Sequence, residues 1–290
     1  MKTCVSLYSY WKPVRLGQMD NYEAIDRIKA LDMDAVELLM LDDAVPDGET
    51  MQSYAKKLCL HAKKVGLEVP ILSMDSKLYC ADPERELEYL CSMIDVAHEC
   101  DIHLMRFDIA YKFLGNEAVK NYKTVIETVT PYIRRLADYA EGKGVKVISE
   151  NHGRIIQDSY RVEELITTVD HPNYGYLCDI GNFGGVDEDC ACAVSRLLPY
   201  ICFIHAKDAL ERDGMAYDPG RGFGRTRGGK FRRATVFGQG VVPVYQILKS
   251  LKAFGYEGYV SLEYEGMEET IEAMEIGAEN LKRMLSDIEK

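Results

Sequence analysis

Val145-Lys146-Val147-Ile148-Ser149-Glu150-Asn151-His152-Gly153 carries three apolar residues straight into a carboxylate, an amide, an imidazole and a glycine. The apolar part predicts a short buried strand, Val145 to Glu150, whose downstream end bears chemistry. Side chains alternate across a strand, so Glu150 and His152 are expected on one face and Asn151 on the other. A glutamate driven against an apolar strand must be paired, hydrogen-bonded or bound to a cation. Its partners have to come from elsewhere in the chain.

Working outward from that strand, the same strand-then-helix unit repeats. Upstream lie β-prone runs at Thr3–Tyr8, Ala35–Leu39, Val69–Met74 and Ile102–Phe107, and downstream at Tyr174–Cys178, Tyr200–Ile204 and Tyr259–Leu262. Between them fall helical segments with legible starts. Asp20 with Glu23 three residues on makes a capping box before the apolar stripe Ala24, Ile25, Ile28 and Leu31. Asp82-Pro83-Glu84 opens a helix running to about His98. Further helices read at Met51–Val65, Val162–Val169, Cys190–Leu198, Val244–Phe254 and Glu268–Ile288. A longer one reaches Gly142, and within it Pro131 is expected to start a new segment or kink the old one. Eight strands alternating with eight helical segments are the signature of an α/β protein built as a (β/α)8 TIM barrel, a single domain over residues 1–290. The alternative is a doubly wound open sheet, but no GxGxxG follows the first strand. Asp208–Val242 reads as loop, with a basic, glycine-rich insertion at about 209–241.

Composition narrows the class. The chain is 47% hydrophobic and 28% charged, ordinary globular values, and its net charge of -12 argues against general affinity for nucleic acid or an anionic membrane. Nine cysteines, scattered rather than spaced in pairs, read as reduced thiols; the one close pair, Cys190 and Cys192, is a weak zinc signal. The first residues enter a strand pattern at once, and no apolar run approaches the roughly 18 residues of a membrane span, so a cytoplasmic protein is expected.

In such a barrel, reactive side chains stand at the C-terminal ends of the strands. The fifth apolar run stops at Glu150, the sixth at Asp179, the seventh at His205 and the eighth at Glu263. A lone strand-end acid or histidine is more often a satisfied rim residue. Four on consecutive strands are harder to explain so, because three carboxylates on one rim repel one another unless a cation neutralises them. Three oxygen donors and one nitrogen suit a hard or borderline divalent ion. Mn²⁺ ranks first, with Mg²⁺, Co²⁺ and Zn²⁺ as alternatives.

The set Glu150-Asn151-His152, Asp179-Ile180-Gly181-Asn182, His205-Ala206-Lys207-Asp208 and Ser261-Leu262-Glu263, with Gly238-Gln239-Gly240 before the last unit, resembles the sugar phosphate isomerase/epimerase family of xylose-isomerase-like barrels. The resemblance implies that Glu150, Asp179, His205 and Glu263 bind one divalent metal. It implies further that Glu150 and Glu263 exchange a proton with a carbohydrate from opposite sides, through an enediolate. One departure stands out: many family members have histidine three residues after the sixth-strand aspartate, where this chain has Asn182. Asparagine can hydrogen-bond a substrate hydroxyl but cannot take a proton. His152 is expected to contact substrate or to orient a ligand, and Lys207 to neutralise a substrate oxyanion or to pair with an acid such as Asp208.

The leading expectation is thus a metal-dependent sugar or sugar phosphate isomerase or epimerase. A dehydratase or lyase acting on a cyclic polyol or glycoside could reuse the same metal and bases. Apurinic-site endonucleases resemble this chain in fold but use three zinc ions and several histidines. Here His61, His98 and His171 fall in helices or between elements and His103 begins a strand, so that reading and nucleic acid rank low. A non-catalytic binding protein on a degenerate barrel would not need both glutamates. The basic residues Arg212, Arg221, Arg225, Arg227, Lys230, Arg232 and Arg233 after the seventh strand fit a lid over an anionic substrate, a contact in a homo-oligomer or with an acidic partner, or, least well, nucleic acid. Tyr8, Tyr10 and Trp11 offer either a stacking wall for a sugar face or packing.

Overall fold

Eight parallel strands close into a barrel, each paired with the next barrel strand along the chain and the last, Tyr259–Leu262, closing on the first, Lys2–Ser6. They are β1 (Lys2–Ser6), β2 (Ala35–Met40), β3 (Ile71–Lys77), β4 (Leu104–Asp108), β5 (Lys146–Glu150), β6 (Tyr174–Asp179), β7 (Ile201–Ala206) and β11 (Tyr259–Leu262). The structure is a computed structural model that describes residues 1–115 and 117–290. Every residue of β2 and β6 is buried, as a parallel strand requires when the lumen lies on one side and helices on the other.

The helices form for the local reasons their sequences supply. In α2 (Asn21–Ala30) the Asp20 carboxylate accepts from Glu23 N at 2.8 Å, and Glu23 accepts from Asp20 N at 3.0 Å. Asp82 caps α4 (Pro83–Glu99) and Asp158 caps α6 (Ser159–Val169). The long helix α5 (Tyr122–Glu141) runs through Pro131 unbroken, so the proline starts no new segment.

The lumen is layered. Cys4, Ala35, Ile71, Ile148, Leu177 and Phe203 form a small apolar cluster inside the barrel, with Leu104 and Tyr259 against it, one residue from each strand. Two residues downstream on the eight strands stand Ser6, Glu37, Ser73, Arg106, Glu150, Asp179, His205 and Ser261, all buried and all polar. The barrel is therefore plugged by apolar side chains below and filled by hydrogen-bonding and charged ones above.

The segment expected as loop after β7 instead folds as a three-stranded antiparallel sheet in the order β8-β10-β9, made of β8 (Asp208–Arg212), β9 (Gly224–Arg225) and β10 (Phe231–Thr235). Its strands are short and half-exposed, and its glycines and charges hide the alternation that a longer strand would display. Asp208 ties both ends down. Its carboxylate accepts from the backbone N–H groups of Ala209 (2.8 Å), Gly238 (3.0 Å), Gly240 (2.8 Å) and Val242 (3.1 Å). Gly240 must be glycine, since a Cβ there would lie 2.1 Å from the Asp208 carboxylate. The sheet is docked on the rim: Arg232 donates to Gly181 O at 2.9 Å, and Arg227 donates to Asp158 at 2.9 Å and to Arg154 O at 2.7 Å.

Candidate metal centre

Glu150 ends β5, Asp179 ends β6, His205 stands one residue before the end of β7, and Glu263 follows β11 directly. Register brings Asp179 beside His205 and His205 beside Ser261. One potential ligand atom from each of Glu150, Asp179, His205 and Glu263 lies within 4.8 Å of the other three. His205 Nδ1 is 3.4 Å from Glu150 and 3.5 Å from Glu263. Asn151 is turned away and clamps the neighbouring strand, exchanging two 2.9 Å hydrogen bonds with the Asp179 backbone.

Each member is held by a support. Glu37 accepts from His205 Nε2 at 2.8 and 3.0 Å, and it also accepts from Ser73 at 2.5 Å and Ser261 at 2.9 Å. With Nε2–H committed to Glu37, Nδ1 is the nitrogen offered to the centre. Glu150 is paired with Arg106, which also donates to Asp108 at 2.8 Å and to Met74 O at 3.3 Å. The Asp179 Oδ1 accepts from the N–H groups of Gly181 (2.8 Å) and Asn182 (3.0 Å), leaving Oδ2 toward the centre.

Lys207 Nζ lies 2.7 Å from Glu263, 3.0 Å from Asp179 and 3.1 Å from Glu265. All three are ion-pair contacts. Asp179 Oδ2, His205 Nδ1 and Glu263 Oε2 are buried and, apart from their ion-pair contacts, have no hydrogen-bond partner among the described residues. Three of the four candidate ligand residues thus each turn one such atom toward the same point, a donor set that fits a divalent cation. A second acidic group, Asp108, Glu150 and His152, is also close enough for a metal, but there the Arg106 guanidinium already bridges the two carboxylates.

Ionisation follows from these contacts. Burial pushes the Glu150 carboxyl up, but Arg106 and His205 outweigh it and hold the group well below its ordinary value. For Glu263 burial is likewise overcome, here by Lys207 and His205, and the carboxyl is lowered. Asp179 goes the other way: burial raises it to about 6, with Lys207 only partly opposing. Burial alone would lower His205, yet Glu37, Glu263 and Glu150 drive it well above the usual histidine range. The chain's own cations hold the carboxylates together, and a divalent ion would displace the Nδ1 proton.

The other expected residues fall around this cluster. Asn182 Nδ2 donates to Glu150 at 3.3 Å. His152, 42% exposed, is paired with Asp108 at 3.2 Å and edges Tyr111, and burial opposed by Asp108 leaves its imidazole raised. Lys207 pairs with Asp179, Glu263 and Glu265, whereas Asp208 is committed to backbone N–H groups. A cavity of about 450 Å³ opens over the cluster, walled by Tyr8, Trp11, Arg106, Tyr111 and His152. The aromatic trio divides: Tyr8 and Trp11 stack at 6.2 Å and face this cavity, while Tyr10 is core. Sequence reading by strand ends missed Glu37, Arg106 and Asp108. The first two sit inside apolar runs, and that was their signal.

A closed parallel barrel with three carboxylates and one imidazole gathered at its C-terminal rim defines the class: a TIM barrel with a buried cluster suited to a divalent metal. The family model for xylose isomerase-like TIM barrels matches residues 25–284, and the chain belongs to that family. Among curated relatives, an inosose dehydratase from Clostridium perfringens is 26% identical over 162 residues, 53% of this chain and 50% of the relative. The chain spans about half the length of the curated relatives it matches. Among solved structures, D-psicose 3-epimerase with D-tagatose from Clostridium cellulolyticum H10 superposes with a TM-score of 0.72 at 17% identity, covering 99% of both chains. A xylose isomerase-like TIM barrel protein from Mycobacterium smegmatis in complex with magnesium gives 0.71 at 19% identity, over 92% of this chain and 88% of the other. Likeness at that identity concerns the fold. No helix among the described residues is long and apolar enough to cross a membrane.

Proposed function

We propose that this chain is a metal-dependent isomerase or epimerase of a sugar or sugar derivative, moving a proton on the carbon next to a carbonyl. The observation that carries the reading is the pair Glu150 and Glu263. They rise from strands three places apart around the barrel, reach the same point, and are each held against their own cation, Arg106 and Lys207. Glu150, Asp179, His205 and Glu263 would hold the metal, with Mn²⁺ the first candidate. When bound it would polarise the substrate carbonyl and make the neighbouring C–H acidic. One glutamate then takes the proton and the other returns one, and Arg106 and Lys207 keep the base ionised at neutral pH. Asn182, which already touches Glu150, would hold a substrate hydroxyl, and Tyr8 and Trp11 would cover the apolar face of the sugar.

A second reading, dehydration of a cyclic polyol, is favoured by one observation. His152, backed by Asp108, faces the same cavity as Glu150 and is a proton donor beyond the two glutamates. A departing hydroxyl needs such a donor, and the curated relatives named inosose dehydratases support that alternative.

The test is solvent-deuterium exchange with Mn²⁺-loaded protein over a panel of ketoses, aldoses, their phosphates and inososes, read by NMR and mass. Deuterium incorporation with carbon skeleton and formula retained is expected. Loss of water without return of the proton would replace the isomerase reading by the dehydratase, and no exchange into any compound would refute both.

A further inference from the structure

A second cavity, of about 190 Å³, adjoins the centre on the side covered by the three-stranded sheet; Lys207 and Glu265 line it as well as the first. Its wall includes Arg154, Arg225, Arg232, Arg233 and Lys207 against two carboxylates, Asp208 and Glu265. Three of these five cations already have carboxylate partners: Lys207 pairs with Glu263, Asp179 and Glu265, Arg233 with Glu268 at 2.8 Å and Arg232 with Glu211 at 3.6 Å.

The basic residues in and around this cavity divide by whether a carboxylate answers them. Arg227 and Lys230, which do not line this cavity, are neutralised by Asp158 at 2.9 Å and Glu211 at 2.7 Å. Arg154 and Arg225, which do line it, have no carboxylate within 4.0 Å among the described residues. They are aimed by backbone bonds that fix a guanidinium without cancelling its charge. Arg154 donates to Arg225 O at 2.9 Å, and Arg225 donates to Gly229 O at 3.0 Å while lying 4.2 Å from the Phe231 ring. Arg154 moreover adopts a left-handed backbone, φ 69°, an unfavourable setting for a side chain that is not glycine. Two oriented, uncompensated guanidinium groups in a concave pocket are a receptor for an oxyanion.

We infer that this second cavity binds an anionic oxygen group, phosphoryl or carboxylate, at the end of the substrate distal to the metal centre, so that the substrate is an acidic or phosphorylated polyol rather than a neutral sugar. The inference rests on the reading of the first cavity as the reaction site. Lys207 and Asn182 join the two: both line the second cavity, and both touch carboxylates of the centre. The sheet is then the specificity element of the enzyme, docked over the pocket rather than swinging across it.

The experiment has two arms. In the first, inorganic phosphate, glycolate and glycerol are titrated calorimetrically into the metal-free full chain, so that no ligand can bind through a metal. Saturable binding of phosphate or glycolate, absent for glycerol, is expected; the stronger of the two names the group. Arg154→Met with Arg225→Met should weaken it by about tenfold or more per arginine removed. Lys230→Gln, on the neutralised face, should leave it within about twofold. In the second arm, exchange rates are compared for matched neutral, phosphorylated and carboxylated sugars, with kcat/KM for the anionic member expected to be about a hundredfold higher and the ratio to collapse in the double variant. Absence of anion binding, or equal binding by the double variant, overturns the inference whether or not exchange occurs. Anion binding without exchange into any sugar would instead overturn the reaction, leaving the pocket intact.

Discussion

Replacing Glu37 by glutamine is the most incisive perturbation of the centre, because Glu37 touches no candidate substrate atom and acts only through His205. In the structure its two oxygens take four contacts, two from His205 Nε2 and one each from Ser73 and Ser261. A glutamine keeps the shape and one acceptor oxygen. The serine hydroxyls can rotate to accept from the new NH2 group, so the loss concentrates on the imidazole. A hydrogen bond to a charged acceptor contributes about 1.5–3 kcal/mol and a neutral one about 0.5–1.5 kcal/mol. The difference, roughly 1–2 kcal/mol, corresponds to about a five- to thirtyfold change in equilibrium, within the range expected for a group behind a metal-binding histidine. Mn²⁺ titration followed by EPR of the free ion should therefore show Glu37→Gln binding about tenfold more weakly than the parent, with the cooperative unfolding transition retained. Equal affinity in a folded variant would refute the assignment of His205 Nδ1 as a ligand held by Glu37.

Other consequences follow from the same contacts. Arg106→Met takes the guanidinium from two buried carboxylates, Glu150 and Asp108, so the metal-free protein should lose about 3–5 kcal/mol, part of it recovered by Mn²⁺; melting in EDTA and in Mn²⁺ measures both. Asp208→Asn leaves one acceptor oxygen for four N–H donors, and the two deprived of a partner should cost roughly 2–6 kcal/mol in chemical denaturation. Protons and metal compete for Asp179, whose carboxyl burial lifts to about 6 in the metal-free chain. Binding needs the ionised form, so Mn²⁺ affinity should fall as pH drops through about 6, by up to about tenfold per unit. An affinity that stays flat over that range would contradict the assignment.

The barrel was readable because parallel strands buried on both faces give short apolar runs, and because caps such as Asp20 and Asp82 mark the helix starts between them. Glu150, Asp179, His205 and Glu263 were readable because each stops such a run. The supporting layer was not, although its signal was there. Glu37 and Arg106 interrupt Ala35–Met40 and Leu104–Asp108, each two residues beyond a member of the apolar plug, so counting by twos rather than looking for run ends would have found them. What the linear pattern cannot supply is the sheet over the rim. Its strands are short, its pairing is closed by Asp208 across some thirty residues of chain, and the direction each arginine faces is decided by that pairing.

The central claim is that Glu150, Asp179, His205 and Glu263 form one metal centre. Anomalous diffraction from crystals grown with Mn²⁺ tests it most directly. A single strong peak is expected, with carboxylate oxygens of all three acids and His205 Nδ1 about 2.0–2.3 Å away. A peak at Asp108, Glu150 and His152 instead, or none within reach of His205 Nδ1, would contradict it.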